Sequence, residues 1–160
     1  MLPRPWRAWV LDSGSLTKRL IQASHGHFAV RPIREAWLYP RIDEAQILQM
    51  PLRQKAWIRE VELLCFGEVW VRARSVVPVQ TLTGEERQLR YLGTRPLGAF
   101  LFAAPTMHRE PMQIARIGAG ALATFGRRSV FRLHGKPLLV SEVFQPAMLQ
   151  ALQKQEQNQE

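Results

Sequence analysis

Two ionisable residues stand where strand alternation should place apolar side chains. Residues 126–146 read as two strands around a short turn at Gly135, stopped by Pro146. Strand side chains alternate between faces, so Leu138, Val140, Glu142 and Phe144 share one of them. Ser129, Phe131 and Leu133 form the apolar set of the partner strand, opposed to Arg128, Arg132 and His134. Residues 56–66 alternate in the same way, with Trp57, Arg59, Val61, Leu63 and Cys65 on the more apolar face. An isolated charge on a covered face costs several kcal/mol and needs a partner or a function. One reading is a buried Arg59–Glu142 salt bridge that keeps strands in register. Such pairs are often replaceable by hydrophobes at no loss, so stability alone explains this one poorly. The other reading is a polar end and an acidic end of one cavity. A guanidinium grips a carboxylate through two parallel N–H bonds. Glu142 then meets a hydroxyl or ether oxygen of the same small ligand, in a pocket that is otherwise apolar.

These side chains need a sheet to hold them and helices to close over them. Ser13-Gly14-Ser15 precedes a run in which Leu16, Leu20 and Ala23 recur at helical spacing, and Ser15 is placed to cap it. Gly26 ends that helix. A strand follows over 27–38, with Pro32 marking an edge or a bulge. Residues 39–55 carry Pro40 and Pro51 around a weak helical pattern and read as a surface excursion or flap. The strongest β signal is a hairpin, 56–66 and 69–77, turning at Gly67-Glu68 and stopped by Pro78. Thr83-Gly84-Glu85-Glu86 has the form of a capping box opening a short helix through Arg90. Pro96 starts a second helix over 97–104, and residues 106–117 form a further strand before a loop over 118–125. Backbone N–H groups near Leu16 and Leu97, at the two helix starts, are free to bind an oxygen anion, although ordinary capping uses them too. The whole chain, 1–160, is expected to be one α+β domain on a single antiparallel sheet of about six strands, with helical flaps over an internal ligand site. Residues 1–10 read as a lead-in with packed tryptophans, and the Gln-rich 148–160 as a frayed tail.

Composition narrows the function. The chain has 46% hydrophobic residues in 160, enough for a sizeable core. The net charge of +9 favours an anionic partner. The arginines are spread along the chain, do not interleave with aromatics, and form no zinc-finger or recognition-helix pattern, so nucleic acid is not the expected partner. No apolar run approaches the ~20 residues of a membrane span, and the N-terminus lacks a secretory apolar core. Cys65 is the single cysteine and reads as a core thiol; a cytoplasmic monomer is expected. His25-Gly26-His27 finds no further ligands for a metal. Gly118-Ala119-Gly120-Ala121-Leu122-Ala123 has the form of a dinucleotide fingerprint, but Gly126 interrupts before a helix can form.

An ordered set of segments resembles the chorismate lyase family, the chorismate–pyruvate lyases of bacterial ubiquinone synthesis. These are Leu16-Thr17-Lys18-Arg19, Arg34-Glu35, Trp57-Ile58-Arg59-Glu60, Val76-Val77-Pro78-Val79, Pro96-Leu97-Gly98, Gly126-Arg127-Arg128-Ser129, Gly135-Lys136-Pro137-Leu138-Leu139 and Glu142-Val143-Phe144-Gln145-Pro146. The set spans residues 11–147 in family order. No single segment is specific; the order and spacing are.

The resemblance implies a six-stranded antiparallel sheet whose helical flaps close over the ligand. Arg59 matches the arginine that holds the ring carboxylate, and Glu142 the glutamate at the hydroxyl end. Leu16 and Leu97 match positions that contact the ligand chiefly through backbone; the family pattern has methionine where this chain has Leu16. The implied reaction expels pyruvate from chorismate and leaves 4-hydroxybenzoate. Aromatisation drives it, so no cofactor or metal is expected, and the protein contributes positioning and electrostatics. Glu142 either donates to the ether oxygen or orients the hydroxyl end. The side-chain carboxylate needs a cation, for which Arg127 is the candidate because it shares a face with Ser129 and Phe131. Trp57, beside Arg59, is a candidate wall, while Arg72, Arg74, Arg128 and Arg132 are expected to face solvent. The rival is a non-catalytic effector-sensing domain of the same fold, as in some bacterial transcription regulators. Those domains follow a DNA-binding domain, and about ten residues precede the first matching segment here, which favours the lyase.

Overall fold

The computed structural model describes residues 2, 4–120 and 123–160. Met1 and Pro3 of the lead-in, and Ala121 and Leu122 of the expected 118–125 loop, lie outside the described residues. In chain order the elements are α1 (Arg4–Val10), α2 (Leu16–Ala23), β1 (Phe28–Leu38), α3 (Ile42–Ile47), β2 (Ala56–Cys65) and β3 (Glu68–Pro78). Two 3-10 segments, Val79–Thr81 and Gly84–Tyr91, lead to α4 (Leu97–Ala103). The chain closes with β4 (His108–Arg109), β5 (Gln113–Ile117), β6 (Thr124–Leu133), β7 (Lys136–Phe144) and α5 (Pro146–Gln157). The strands form one antiparallel sheet in the order β1-β2-β3-β7-β6-β4, with β5 also pairing with β6. This is the α+β architecture expected, with seven strands instead of about six.

The two long hairpins owe their tightness to residues that tolerate positive φ. Phe66 and Gly67 (φ 55° and 77°) turn β2 into β3, and His134 and Gly135 (φ 50° and 74°) turn β6 into β7. Two consecutive positive-φ residues match the right-handed twist of the strands they join, and glycine meets that demand without Cβ strain. Pro32 does mark a bulge: the β1–β2 register shifts between Pro32 and Arg34, on an edge strand where a missing N–H matters least.

The sheet has two unlike faces. On one, Val61, Leu63, Cys65, Val71 and Phe144 pack against Trp6, Trp9 and Val10 of α1, Leu16 and Leu20 of α2, and Met148 of α5. Towards the other end of that face, Val77, Phe131, Leu133, Leu138 and Val140 pack against Leu89, Leu92 and Leu101. Cys65 is a core thiol, as expected, and burial pushes its pKa up to about 11. On the opposite face, Ile58, Val76, Val130 and Leu139 meet Ala45 and Leu48 of the α3 region, and the rest is ionic. There Arg74 bonds to both Glu44 and Glu60, and Glu62 to Arg31 and Arg72.

Several local expectations yield to tertiary packing. The tail expected to fray from 148 is instead helix α5, because Met148 is fully buried against the sheet and anchors it. The lead-in is likewise helical, with Trp6 stacked at a tilt on Phe144, 5.8 Å between centroids. Thr83 makes no side-chain cap: Glu86 is drawn away to Lys136 and His134, and Thr83 accepts from Lys136 Nζ. The strand expected over 106–117 divides into β4 and β5 around Pro111, which cannot donate to a ladder. Arg74, expected in solvent, is largely buried in its two ion pairs.

Candidate active site

The register of the sheet lays the polar residues out in two adjacent rungs. One runs Glu35–Arg59–Ser75–Val140–Ser129 across β1, β2, β3, β7 and β6. The next runs Val61–Ala73–Glu142–Arg127. Arg59 and Glu142 therefore sit two strands apart and one same-face step along, about 10 Å across and about 7 Å lengthwise. They are not bonded to each other: the salt bridge between them that the sequence allowed is replaced by Arg59–Glu35 and Arg127–Glu142.

Between the rungs and the covering helices lies a cleft, in the seam between the two apolar clusters. It holds about 620 Å³ of space free of protein atoms, open solvent at its mouth included. All five residues singled out from sequence, Leu16, Arg59, Leu97, Arg127 and Glu142, line it. Trp57 does not; it stacks edge-on against Trp37, 5.5 Å between centroids, with the Arg90 guanidinium over it.

Arg59 is held by acceptors on one side. Its Nη1 donates to Glu35 and to the Gly93 carbonyl (2.9 Å), and its Nη2 to the Arg95 carbonyl (3.0 Å). Among the described residues its Nε–H has no acceptor, which leaves a donor on the Nε/Nη2 edge, the one that forks onto carboxylates, although Nη2 also serves Arg95. Its side chain is 3% exposed, against 26% for Glu35. Arg127 is as deep, at 1%, and donates from Nε to Glu142 Oε1 (3.0 Å). Its Nη1 serves the carbonyls of Trp9 and Val10 (3.2 Å each) and Asp12 (2.6 Å), so it closes the C-terminal end of α1. Glu142 Oε2 has no hydrogen-bond donor among the described residues.

Two helix starts meet at the cleft. Ser15 caps α2 by accepting from the Lys18 N–H, as expected, which leaves the N–H groups of Leu16 and Thr17 unused within the helix. Pro96 precedes α4, whose first turn brings Leu97 and Gly98 alongside. Gly98 is needed for this approach: a Cβ there would lie 2.6 Å from Thr17 Oγ1. Arg59 fixes the same place from below, since Gly93 and Arg95 lead into α4.

Sequence reasoning missed three cleft-side features. Glu35 was within reach of alternation, being on β1 directly opposite Arg59, once β1 and β2 are known to pair. Ser75 sits in the Arg59 rung and carried no signal by type. Arg109 lines the cleft from β4, a two-residue strand whose pairing has no sequence signature.

Residues 1–154 match the chorismate lyase family model. The chain belongs to the chorismate lyase family. A probable chorismate pyruvate-lyase of Methylococcus capsulatus is 42% identical over 154 residues, covering 89% of this chain and 95% of that one. The chorismate pyruvate-lyase of Citrobacter koseri is 40% identical over 139 residues, covering 87% and 81%. Among solved structures, the effector domain of PhnF from Mycobacterium smegmatis superposes with a TM-score of 0.61 at 13% identity, over 86% of this chain and 91% of that one. The C-terminal domain of the histidine utilization repressor from Pseudomonas syringae gives 0.55 at 12% identity, over 76% and 93%. These two likenesses concern the fold alone. The chorismate lyase fold in this chain has no helix long and apolar enough to cross a membrane among the described residues.

Proposed function

We propose that this protein is a chorismate lyase, eliminating pyruvate from chorismate to give 4-hydroxybenzoate and feeding ubiquinone synthesis. The reading is carried by a buried Arg59, whose Nε–H has no acceptor among the described residues, lining the same cleft as Glu142. The Arg59 fork takes the ring carboxylate. The backbone N–H groups of Leu16 and Leu97 complete its surroundings, so the leucine at position 16 matters little to that contact.

In the reaction the ether bond at the ring breaks, the neighbouring ring proton is lost, and the ring becomes aromatic. The enol leaving group gains a proton on carbon and becomes pyruvate, so the atoms of one chorismate equal those of the two products. Aromatisation supplies the driving force, and the protein contributes orientation and a preorganised field. Glu142, held by Arg127, accepts from the ring hydroxyl through its free oxygen and orients that end. Arg127 lends the positive charge that the side-chain carboxylate calls for. The apolar walls, among them Val61, Leu63, Leu101 and Phe131, exclude water around both ends. The proposed enzyme acts as a monomer in the cytoplasm.

The test is to incubate the protein with chorismate and follow 4-hydroxybenzoate and pyruvate in equal amounts. Tight binding of chorismate without either product would instead identify an effector-binding domain.

A further inference from the structure

Three arginines turn their side chains to the cleft: Arg59, Arg109 and Arg127. Two of them carry a carboxylate partner, Arg59 with Glu35 and Arg127 with Glu142. Arg109 forms no ion pair among the described residues. Its Nε donates to Ser129 Oγ (3.0 Å) and one Nη1 hydrogen to the Ser13 carbonyl (3.1 Å), and its guanidinium lies 4.8 Å from the centre of the Phe131 ring. Its Nη2 has no acceptor among the described residues.

Resting on the chorismate reading above, we propose that Arg109 binds the side-chain carboxylate of the substrate directly, through Nη2. Chorismate has two carboxylates, and the Arg59 fork accounts for one. The second hangs from the ether oxygen, next to the ring hydroxyl that Glu142 meets, and so belongs near the Glu142 end. Arg109 is there. It is anchored on Ser129, one rung from Glu142, and its charge is felt together with those of Arg127, Glu142 and Asp12. Burial pushes the Arg109 pKa down, and the adjacent Arg127 pushes it further. A bound anion relieves both penalties. Arg127 also keeps an Nη2 without an acceptor among the described residues, but its charge is already paired with Glu142, whereas that of Arg109 has no carboxylate partner there. The Phe131 face and Ser129 hold the Arg109 guanidinium in one orientation before substrate arrives, which lowers the cost of binding.

The product 4-hydroxybenzoate keeps the ring carboxylate and lacks the second one, so it separates the two ends. In Arg109→Ala, kcat/KM for chorismate is expected to fall on the order of 100-fold, while Kd for 4-hydroxybenzoate stays within about threefold of wild type. Retained product binding also reports a folded cleft. Arg109→Lys keeps the charge without the fork and is expected to recover about tenfold of that loss. An active wild type whose Arg109→Ala variant turns over chorismate as well, or loses affinity for both ligands equally, overturns the assignment alone. A wild type that leaves chorismate unconverted overturns the reading of function, and this assignment with it.

Discussion

The same cross-strand pair, arginine opposite glutamate, occurs twice on one face of the sheet, and the two copies present opposite ends to the cleft. In Arg59–Glu35 the arginine is the buried member and the acid reaches solvent at the β1 edge. Its donors on the Nη1 side are spent on Glu35 and the chain leading into α4, and its Nε edge is open. In Arg127–Glu142 the arginine holds the acid through Nε and the end of α1 through Nη1, and a carboxylate oxygen is open. Each arginine thus anchors one of the two covering segments, 93–95 before α4 and 9–12 before α2. The difference between the pairs is one of position in the sheet: an edge partner can give up part of its hold on the pair to solvent, whereas a central one cannot. One pair leaves a guanidinium N–H without an acceptor among the described residues, the other a carboxylate oxygen without a donor.

The sharpest way to break this comparison is Arg59→Ala. Without its fork, kcat/KM for chorismate is expected to drop on the order of 1000-fold, with the protein still folded because Glu35 can be solvated. Steady-state kinetics and a thermal melt check both halves; retained turnover would contradict the assignment. Next, the two acids should differ in what they cost the fold. Glu142→Ala leaves the buried Arg127 without its carboxylate and is expected to destabilise by about 3 kcal/mol; Glu35→Ala does the same to the buried Arg59 but is expected to cost less, about 2 kcal/mol, because water reaches the place of the partly exposed Glu35. Urea titrations of the two variants side by side measure the gap.

Gly98→Ala tests the meeting of the helix starts. The new Cβ is 2.6 Å from Thr17 Oγ1, the end of a side chain that can give way, so the cost is expected near about 1 kcal/mol. It should appear as weaker binding of 4-hydroxybenzoate in calorimetry, and Thr17→Ala in the same background should recover most of it. The smallest effect lies on the ionic face. Burial alone pushes Glu44 up, but the Arg74 hydrogen bonds and the Arg41 N–H hold it below its ordinary 4.5. A depressed acid stabilises the fold above its unfolded pKa and loses that contribution as pH falls through the folded one. Glu44→Gln should therefore flatten the acid limb of stability below about pH 4.5, read by melts across pH, while costing only about 1 kcal/mol at neutrality.

Much of the site was legible because strand alternation is a local rule. It placed Arg59 with Val61 and Leu63, and Glu142 with Val140 and Phe144, on covered faces, and all five residues named from sequence line the cleft. What alternation could not say is which strands are neighbours. Glu35 and Arg109 were missed for that reason: one becomes a partner only through β1–β2 register, the other only because a two-residue strand docks on β6. The capping box at Thr83 failed in the same way, since Glu86 found a better partner in Lys136, fifty residues away in sequence. The tail was misjudged because its composition is polar, yet one buried methionine and the sheet beneath it suffice to order α5.

By itself the sequence determined the hairpins and the side of each long strand on which the charges fall, because these follow from periodicity and from residues that tolerate positive φ. Only the tertiary structure decided which acid each arginine holds, and therefore which end of each pair is left open. That choice depends on strand order and register, which bring together groups that no local pattern connects.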